Sequence, residues 1–374
     1  MKIAYVIHWN EGPQSGVFKK AASQISEWTR LGHQVGLFLF TGGTGEEWAE
    51  ELESAGVEVV AQSYQGGLSR MLDFRKLARQ VRRWKPDVIY HRFDHYYYAL
   101  PGLLRDFPSV LEINSNDLTE MRMDKDLRYV VHRLTRALVL RAAWGNVFVS
   151  RELSGVPEFS RYARHSIIIG NGICLDDELV GHSPSSKPPE LSLSTQTDAI
   201  QLVFIGSPGQ AWHGVDAIAE LAWARPGWSF DIIGVDASEL AEPAPANMIF
   251  HGRLVREQYQ PLLERADLAI GTLALHRKRM EEASPLKVRE YLANGLPVIT
   301  AYEETDFRGP VPFILQLPNR PGNVRDGLAE IDAFASAWKG KKVPRKSISH
   351  LDARVKEAQR LGYMELIRDK GERT

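Results

Sequence analysis

Short apolar runs alternate with amphipathic stretches through the first half of the chain. Residues 3–8 form an apolar run, a loop with Gly12 and Gly16 follows, and Val17, Ala21, Ile25, Trp28 and Leu31 then recur at helical spacing. Gly32 stands where a helix C′ glycine belongs, and residues 35–40 are too continuously apolar for a half-exposed strand, which predicts a strand buried on both faces. The rhythm continues with helix 46–54, strand 57–60, helix 68–84, strand 88–90, helix 96–104, strand 109–113, helix 127–143, strand 146–149 and strand 167–169. Such alternation predicts a parallel sheet with helices on both faces.

Residues 179–197 break the pattern. Ser183, Pro184, Ser185, Ser186, Pro188 and Pro189 cluster there and apolar periodicity is lost, as in a linker. The rhythm then restarts with strand 200–205, helix 215–223, strands 228–233 and 248–250, helix 257–265, strand 268–270, helix 285–293 and strand 298–300. A strand 314–317, a helix 324–338 and a final helix 351–366 complete it. The predicted fold is α/β, with two Rossmann-like doubly wound domains at 1–178 and 199–345, a linker at 179–198, and a C-terminal helix within 346–374 as a candidate to cross back to the first domain. In open α/β sheets ligands bind at the C-terminal ends of the strands, so the site is expected between the two domains.

Composition narrows the function. A length of 374 residues suits two domains, and 46 Lys+Arg against 47 Asp+Glu gives a formal charge of −1, which offers no sign of a nucleic-acid partner. The single cysteine, Cys174, cannot form an internal disulfide and no zinc-type ligand set is visible, so a reducing, cytoplasmic setting is expected. Residues 1–9 lack the long apolar region of a signal peptide, and nowhere do about 18 apolar residues run together.

The most informative segment runs from Glu282 through Ala283, Ser284, Pro285, Leu286, Lys287, Val288 and Arg289 to Glu290, and continues to Gly295, Leu296, Pro297 and Val298. Serine is a good N-cap and proline is favoured at the first helical position, so Ser284 and Pro285 predict an open helix start. Unpaired N–H groups near Leu286 and Lys287, with the positive end of the helix dipole and the Lys287 charge, suit a phosphate. Glu282 and Glu290, on either side of that point, suit sugar hydroxyls. The bland reading is an amphipathic helix with two solvated glutamates.

Glu282 and Glu290 enclose seven residues, and this segment resembles the Glu-x7-Glu motif of retaining glycosyltransferases of family four, which have the GT-B fold. The resemblance implies that Glu282 approaches the donor sugar, that Leu286 with Lys287 holds the diphosphate at a helix start whose Ser284 and Pro285 also line the donor site, and that Glu290 accepts the ribose hydroxyls. Other stretches agree along nearly the whole chain: 147–150, 168–173, and 204–207 followed by Trp212, His213, Gly214, Val215 and Asp216. Ser207 and His213 depart from the pattern, since the family often carries arginine and lysine there; His213 as a hydrogen-bond donor, and Arg277, Lys278 or Arg279 as charges, are the candidates to compensate. The loop with Gly12 and Gly16 is not Gly-x-Gly-x-x-Gly, which argues against a nicotinamide cofactor, and resembles the family's glycine loop near the donor phosphate or acceptor.

After strand 88–90 come His91, Arg92, Asp94 and His95, and Glu112, Asn114 and Asn116 surround the end of strand 109–113. Relatives carry histidine or aspartate where Asn114 stands, so Asn114 is the candidate facing the donor sugar; Asp94 and His95 are the candidates for acceptor binding or deprotonation, the alternative being that these two cap and orient a loop. Arg253 is placed near the nucleotide base. Asp124-Lys125-Asp126 spells the metal motif of the other glycosyltransferase fold, but acids at a helix start suit the dipole, so no metal and no cofactor beyond the nucleoside diphosphate sugar are expected.

Two predicted helices carry basic sets, Arg75, Lys76, Arg79, Arg82, Arg83 and Lys85, then Arg128, Arg133, Arg136 and Arg141, the second interleaved with Val130, Val131, Leu134, Leu138 and Leu140. They suit solvated faces above the core, or peripheral docking to an inner membrane surface where a lipid-linked acceptor lies. The resemblance implies a retaining hexosyltransferase that moves a sugar from a nucleoside diphosphate to a glycan, lipid-linked or small-molecule hydroxyl. The alternatives are a nucleotide-sugar epimerase of GT-B shape and a catalytically silent nucleotide-sugar-binding module.

Overall fold

The computed structural model describes residues 1–12, 15–53, 56–123, 125–175 and 199–371. The predicted linker 179–197 lies outside them. The chain divides into two units, Met1–Gly172 together with Ala353–Thr374, and Ile173–Asp352. Among the described residues no helix is long and apolar enough to cross a membrane.

The first unit is built on seven parallel strands, β1 (Lys2–His8), β2 (Gln34–Thr41), β3 (Glu58–Ser63), β4 (Val88–Arg92), β5 (Ser109–Ile113), β6 (Gly145–Phe148) and β7 (Ser166–Ile168). Their order is β3-β2-β1-β4-β5-β6-β7. As its continuous apolar run predicts, β2 is buried on both faces from Val35 to Thr41. Gly36 is fixed by close approach, because a Cβ there would stand 2.9 Å from the Trp84 ring. Strand order reverses between β1 and β4, so right-handed crossovers put the helices on opposite faces of the sheet on the two sides of that point. Helix Gly16–Arg30 packs with the C-terminal helix Ala353–Gly371. That second helix is tied down by Arg360, which donates to the carbonyls of Ile169 (3.3 Å) and Gly170 (3.1 Å), and by Glu357, which accepts from the Trp28 indole at 3.0 Å.

Helix Tyr129–Ala142 forms where predicted, and Val139 and Leu140 face the core while Arg133 and Arg141 are exposed, but one basic residue and most of the apolar stripe are placed the other way. Arg136 and His132 are buried against Asp117, Arg136 through two hydrogen bonds of 2.7 and 2.8 Å, while Val130, Val131 and Leu134 are exposed, Leu134 to 74%. Periodicity reveals an apolar stripe but not which way it points. The helix predicted at 96–104 begins only at Leu100: the Tyr97 hydroxyl donates to Asp94 (2.7 Å), which holds the preceding residues as a loop. Helices Asp117–Met123 and Arg151–Gly155 had not been expected.

The second unit has a six-stranded parallel sheet. Its strands are β8 (Gln201–Ile205), β9 (Ser229–Ile233), β10 (Met248–Phe250), β11 (Leu268–Ile270), β13 (Val298–Thr300) and β15 (Ile314–Gln316), ordered β10-β9-β8-β11-β13-β15. A separate parallel pair joins β12 (Glu282–Ala283) to β14 (Glu303–Glu304), with Glu282 opposite Glu303. Residues predicted as one helix at 324–338 form two, Asn323–Asp326 and Leu328–Trp338, broken at Gly327. Both sheets with their crossovers are Rossmann-like, as the alternating pattern predicts.

Candidate functional site

In the second unit the order reverses between β8 and β11, which marks the C-terminal ends of these two strands as the place for a ligand. The loops that leave them are zipped together: Leu273 N–H donates to the His213 carbonyl (3.1 Å) and Ala274 N–H to the Trp212 carbonyl (3.2 Å). Gly214 at the crossing has φ +75°, and a Cβ there would meet Leu273 at 3.1 Å. Close backbone approach recurs at the end of β9, where Gly234 has φ +83° and a Cβ would stand 2.2 Å from the Gly206 carbonyl oxygen.

The helix that follows β12 spans Leu286–Ala293. Its N-cap is Pro285, in extended conformation, and no side chain caps it. The expectation of a Ser284 cap with Pro285 at the first helical position is therefore corrected by one residue. The physical reason is Arg289. This fully buried guanidinium donates to the Ser284 hydroxyl (2.8 Å), to Glu304 (2.7 Å) and to Asp306 (2.7 Å), so Ser284 is held by the helix rather than capping it. Tyr302 completes the set by donating to the other Glu304 oxygen at 2.6 Å. The consequence for the site is the same: the first N–H groups of the helix start are left without a side-chain cap, beside part-exposed Pro285, Leu286 and Lys287.

Lys287 is strongly perturbed by its burial. Its Nζ is out of solvent with no hydrogen-bond partner among the described residues, 4.4 Å from the centre of the Phe204 ring at the end of β8, and burial pushes its pKa down to about 7. His213 lies against the same ring, 5.6 Å between centroids. Burial holds its imidazole down to about 2, Lys287 and Lys278 push the same way, and its Nδ1 is buried without a partner. Two buried polar atoms thus meet around Phe204 with hydrogen-bonding capacity to spare, and one is a cation whose charge is costly until an anion joins it.

Glu282 is buried in β12, and Glu290 is part-exposed, accepting from the Tyr259 hydroxyl at 2.7 Å. One Glu290 oxygen is thereby oriented by Tyr259, a residue that its sequence context does not flag. Ser207 and Arg253 are exposed at the ends of β8 and β10. Of the three basic residues considered as compensating charge, Arg277 is neutralised by Asp216 at 2.5 Å, Lys278 is buried over the Trp212 ring at 4.1 Å, and Arg279 is exposed.

The first unit holds the other predicted residues. Gly16 opens the helix after β1, whose N-cap Ser15 accepts from Phe18 N–H at 3.1 Å. Asn114 accepts from Lys20 (2.7 Å) and donates to Glu112 (3.2 Å). Glu112 is fully buried, with Lys20 at 2.9 Å and Arg360 at 3.6 Å; burial alone would raise its pKa, but these cations with Arg92 hold it well below the usual carboxylate range. Asp94 accepts from Tyr97 and pairs with His8 at 2.9 Å. Against the upward push of burial, the His8 contact and the nearby His91 imidazole at 3.6 Å hold its pKa low, while burial takes His95 down to about 4. Of the Asp-x-Asp motif, Asp124 lies outside the described residues and Asp126 pairs with Arg128 at 2.6 Å.

The model of Glycosyltransferase Family 4 matches residues 15–176. No curated protein sequence matches. Among solved structures, a glycosyltransferase from Rickettsia africae is 12% identical with a TM-score of 0.64, the alignment covering 98% of each chain. Alr3699/HepE of Anabaena, solved with UDP and glucose, is 13% identical with a TM-score of 0.63 over 97% of this chain and 99% of that one. The UDP-GlcNAc 2-epimerase of Neisseria meningitidis, bound to UDP-GlcNAc, is 12% identical with a TM-score of 0.56 over 98% and 100%. At these identities the likeness shows the fold, which is GT-B.

Proposed function

We propose that this chain, a glycosyltransferase family 4-like protein of GT-B fold, is a retaining hexosyltransferase acting on a nucleoside diphosphate sugar. The observation that carries the reading is the meeting of the unpartnered Lys287 ammonium and His213 imidazole around Phe204 beside an uncapped helix start. A diphosphate supplies what this place lacks: oxygens for the free N–H groups and a counter-charge for Lys287. As the bond between the sugar and the phosphate breaks, charge grows on the leaving oxygen, where a preset dipole and cation stabilise it more than they stabilise the bound donor. No metal is needed for that step. The acceptor proton passes to the leaving phosphate, as front-face attack with retention requires, so no separate base is assigned. Glu282 takes the donor sugar hydroxyls and Glu290, aimed by Tyr259, the ribose; Ser207 and Arg253 line the route to phosphate and base. In the first unit Asp94 and Asn114 are the groups proposed for acceptor and sugar, with Gly16 at the helix that opens after β1.

The test is donor-dependent release of nucleoside diphosphate, with and without acceptor sugars, across a panel of nucleotide sugars beginning with UDP derivatives. A glycoside with the donor's anomeric configuration is the expected product. An isomerised nucleotide sugar with no diphosphate released would make the protein an epimerase, and binding without turnover would leave only the silent module.

Two results should accompany it. Glu290→Ala removes a charged acceptor from the ribose, so the donor KM should rise roughly ten- to a hundredfold with kcat little changed; an unaltered KM would remove Glu290 from the donor site. Diphosphate binding should also take up a proton. Lys287 titrates near pH 7 in the free protein, and a neighbouring diphosphate raises that value, so affinity is flat below about pH 7 and falls up to about tenfold per unit above it. Calorimetry at pH 8 in buffers of different ionisation heat reads the uptake directly, and its absence would separate Lys287 from the anion.

A further inference from the structure

One helix of the first unit buries Val139 and Leu140 but also presents an apolar stripe to water. Tyr129–Ala142 turns Val130, Val131, Leu134 and Leu138 outward and keeps Arg136 and His132 inside on Asp117. Soluble helices show the opposite pattern, and a contiguous exposed apolar stripe marks a contact surface. The helix contains no aspartate or glutamate, and Arg133 is exposed on it. Leu100–Asp106 packs against it and against Gly67–Trp84 in turn. Between these helices lies a cavity of about 530 Å³, walled by Arg75, Arg79, Arg82, Arg105, Tyr96 and Tyr98 and bordered by Leu138 of the apolar stripe. Arg82 is paired with Asp106 at 2.7 Å, whereas Arg75 and Arg79 have no acidic partner among the described residues.

We infer that this helix face docks onto an anionic phospholipid bilayer, with lipid phosphates gathered in the arginine-walled cavity and the apolar stripe of Tyr129–Ala142 seated at the acyl boundary. A bilayer surface offers the two complements together, phosphate oxygens for the guanidinium forks and hydrocarbon just beneath them for valine and leucine. A second copy of the chain is a poor occupant, because a two-fold contact would set the unpaired arginines of one face against those of the other. The inference is independent of the transferase reading, which rests on the second unit.

Flotation of the full chain with vesicles decides it. The protein is expected to bind vesicles of phosphatidylcholine mixed with phosphatidylglycerol, to ignore phosphatidylcholine alone, and to release as salt rises. Arg75→Glu with Arg79→Glu should lower partitioning roughly a hundredfold, and Val131→Ser with Leu134→Ser at least about tenfold. All four positions are exposed, so thermal midpoints should stay within about 2 °C of the parent as a control for folding. Equal binding to both vesicle types, no binding to either, or binding untouched by both double variants would overturn the inference. So would an oligomer in sedimentation that Val131→Ser with Leu134→Ser dissolves, since the face would then belong to a second copy.

Discussion

Lys287→Met is expected to make the protein more stable and to abolish sugar transfer. The ammonium of Lys287 is buried without a partner, and burial brings its pKa to about 7. An unfolded lysine titrates near 10.4, so between about pH 7 and pH 10 the unfolded chain holds more protons at this position and folding must remove one. Stability of the parent therefore rises with pH across that window and is lowest, at this site, below it. Methionine has similar length and no charge, and replacing a buried unpaired charge with an apolar group stabilises by about 1–4 kcal/mol. At neutral pH the variant should melt several degrees higher, with the gap closing toward pH 10. Turnover should drop by about a hundred- to a thousandfold, since the cation proposed to meet the leaving diphosphate is gone. A variant that is less stable, or more stable yet fully active, would contradict the role given to this residue.

Arg289→Ala should do the reverse. The guanidinium is fully buried and serves three partners, Ser284, Glu304 and Asp306. Its loss leaves two carboxylates facing each other without a cation, which costs about 3–5 kcal/mol and should be seen as early melting of the second unit in calorimetry. Arg289→Lys restores the charge but not the fork, so it should recover part of that stability. The loop carrying Ser284 and Pro285 loses its anchor in both variants. Donor binding should therefore weaken even in Arg289→Lys, measured at a temperature where it remains folded; unchanged binding there would mean that Ser284 holds its place without help.

Much of this could be read from residue order. The run 35–40 announces a strand buried on both faces because nothing polar interrupts it, and the Glu282-to-Glu290 segment announces a helix start because serine and proline precede an apolar pattern. What escaped was set by distant partners. Whether Ser284 caps the helix or is held by it depends on Arg289, whose other partners, Glu304 and Asp306, lie beyond the next strand. The helix at 129–142 shows an apolar stripe in any projection, yet Arg136 and His132 face inward because of distant partners, Asp117 for both and the Glu158 carbonyl and Phe159 ring for Arg136. His213 looked like a weakened phosphate donor; its burial beside Lys287 gives it a reason to remain neutral. The strand pair of β12 and β14 is two residues long on each side, below the length at which alternation carries a signal.

The latch formed by Arg360 and Glu357 also orders events during synthesis. The first unit needs helix Ala353–Gly371 to cover Trp28 and to fill the space beside β6, yet about 180 residues of a different sheet leave the ribosome in between. The amino-terminal unit must therefore wait, with part of its interior uncovered, until residues 353–371 have emerged. The second unit, continuous from Ile173 to Asp352, meets no such delay and can close before its elder neighbour.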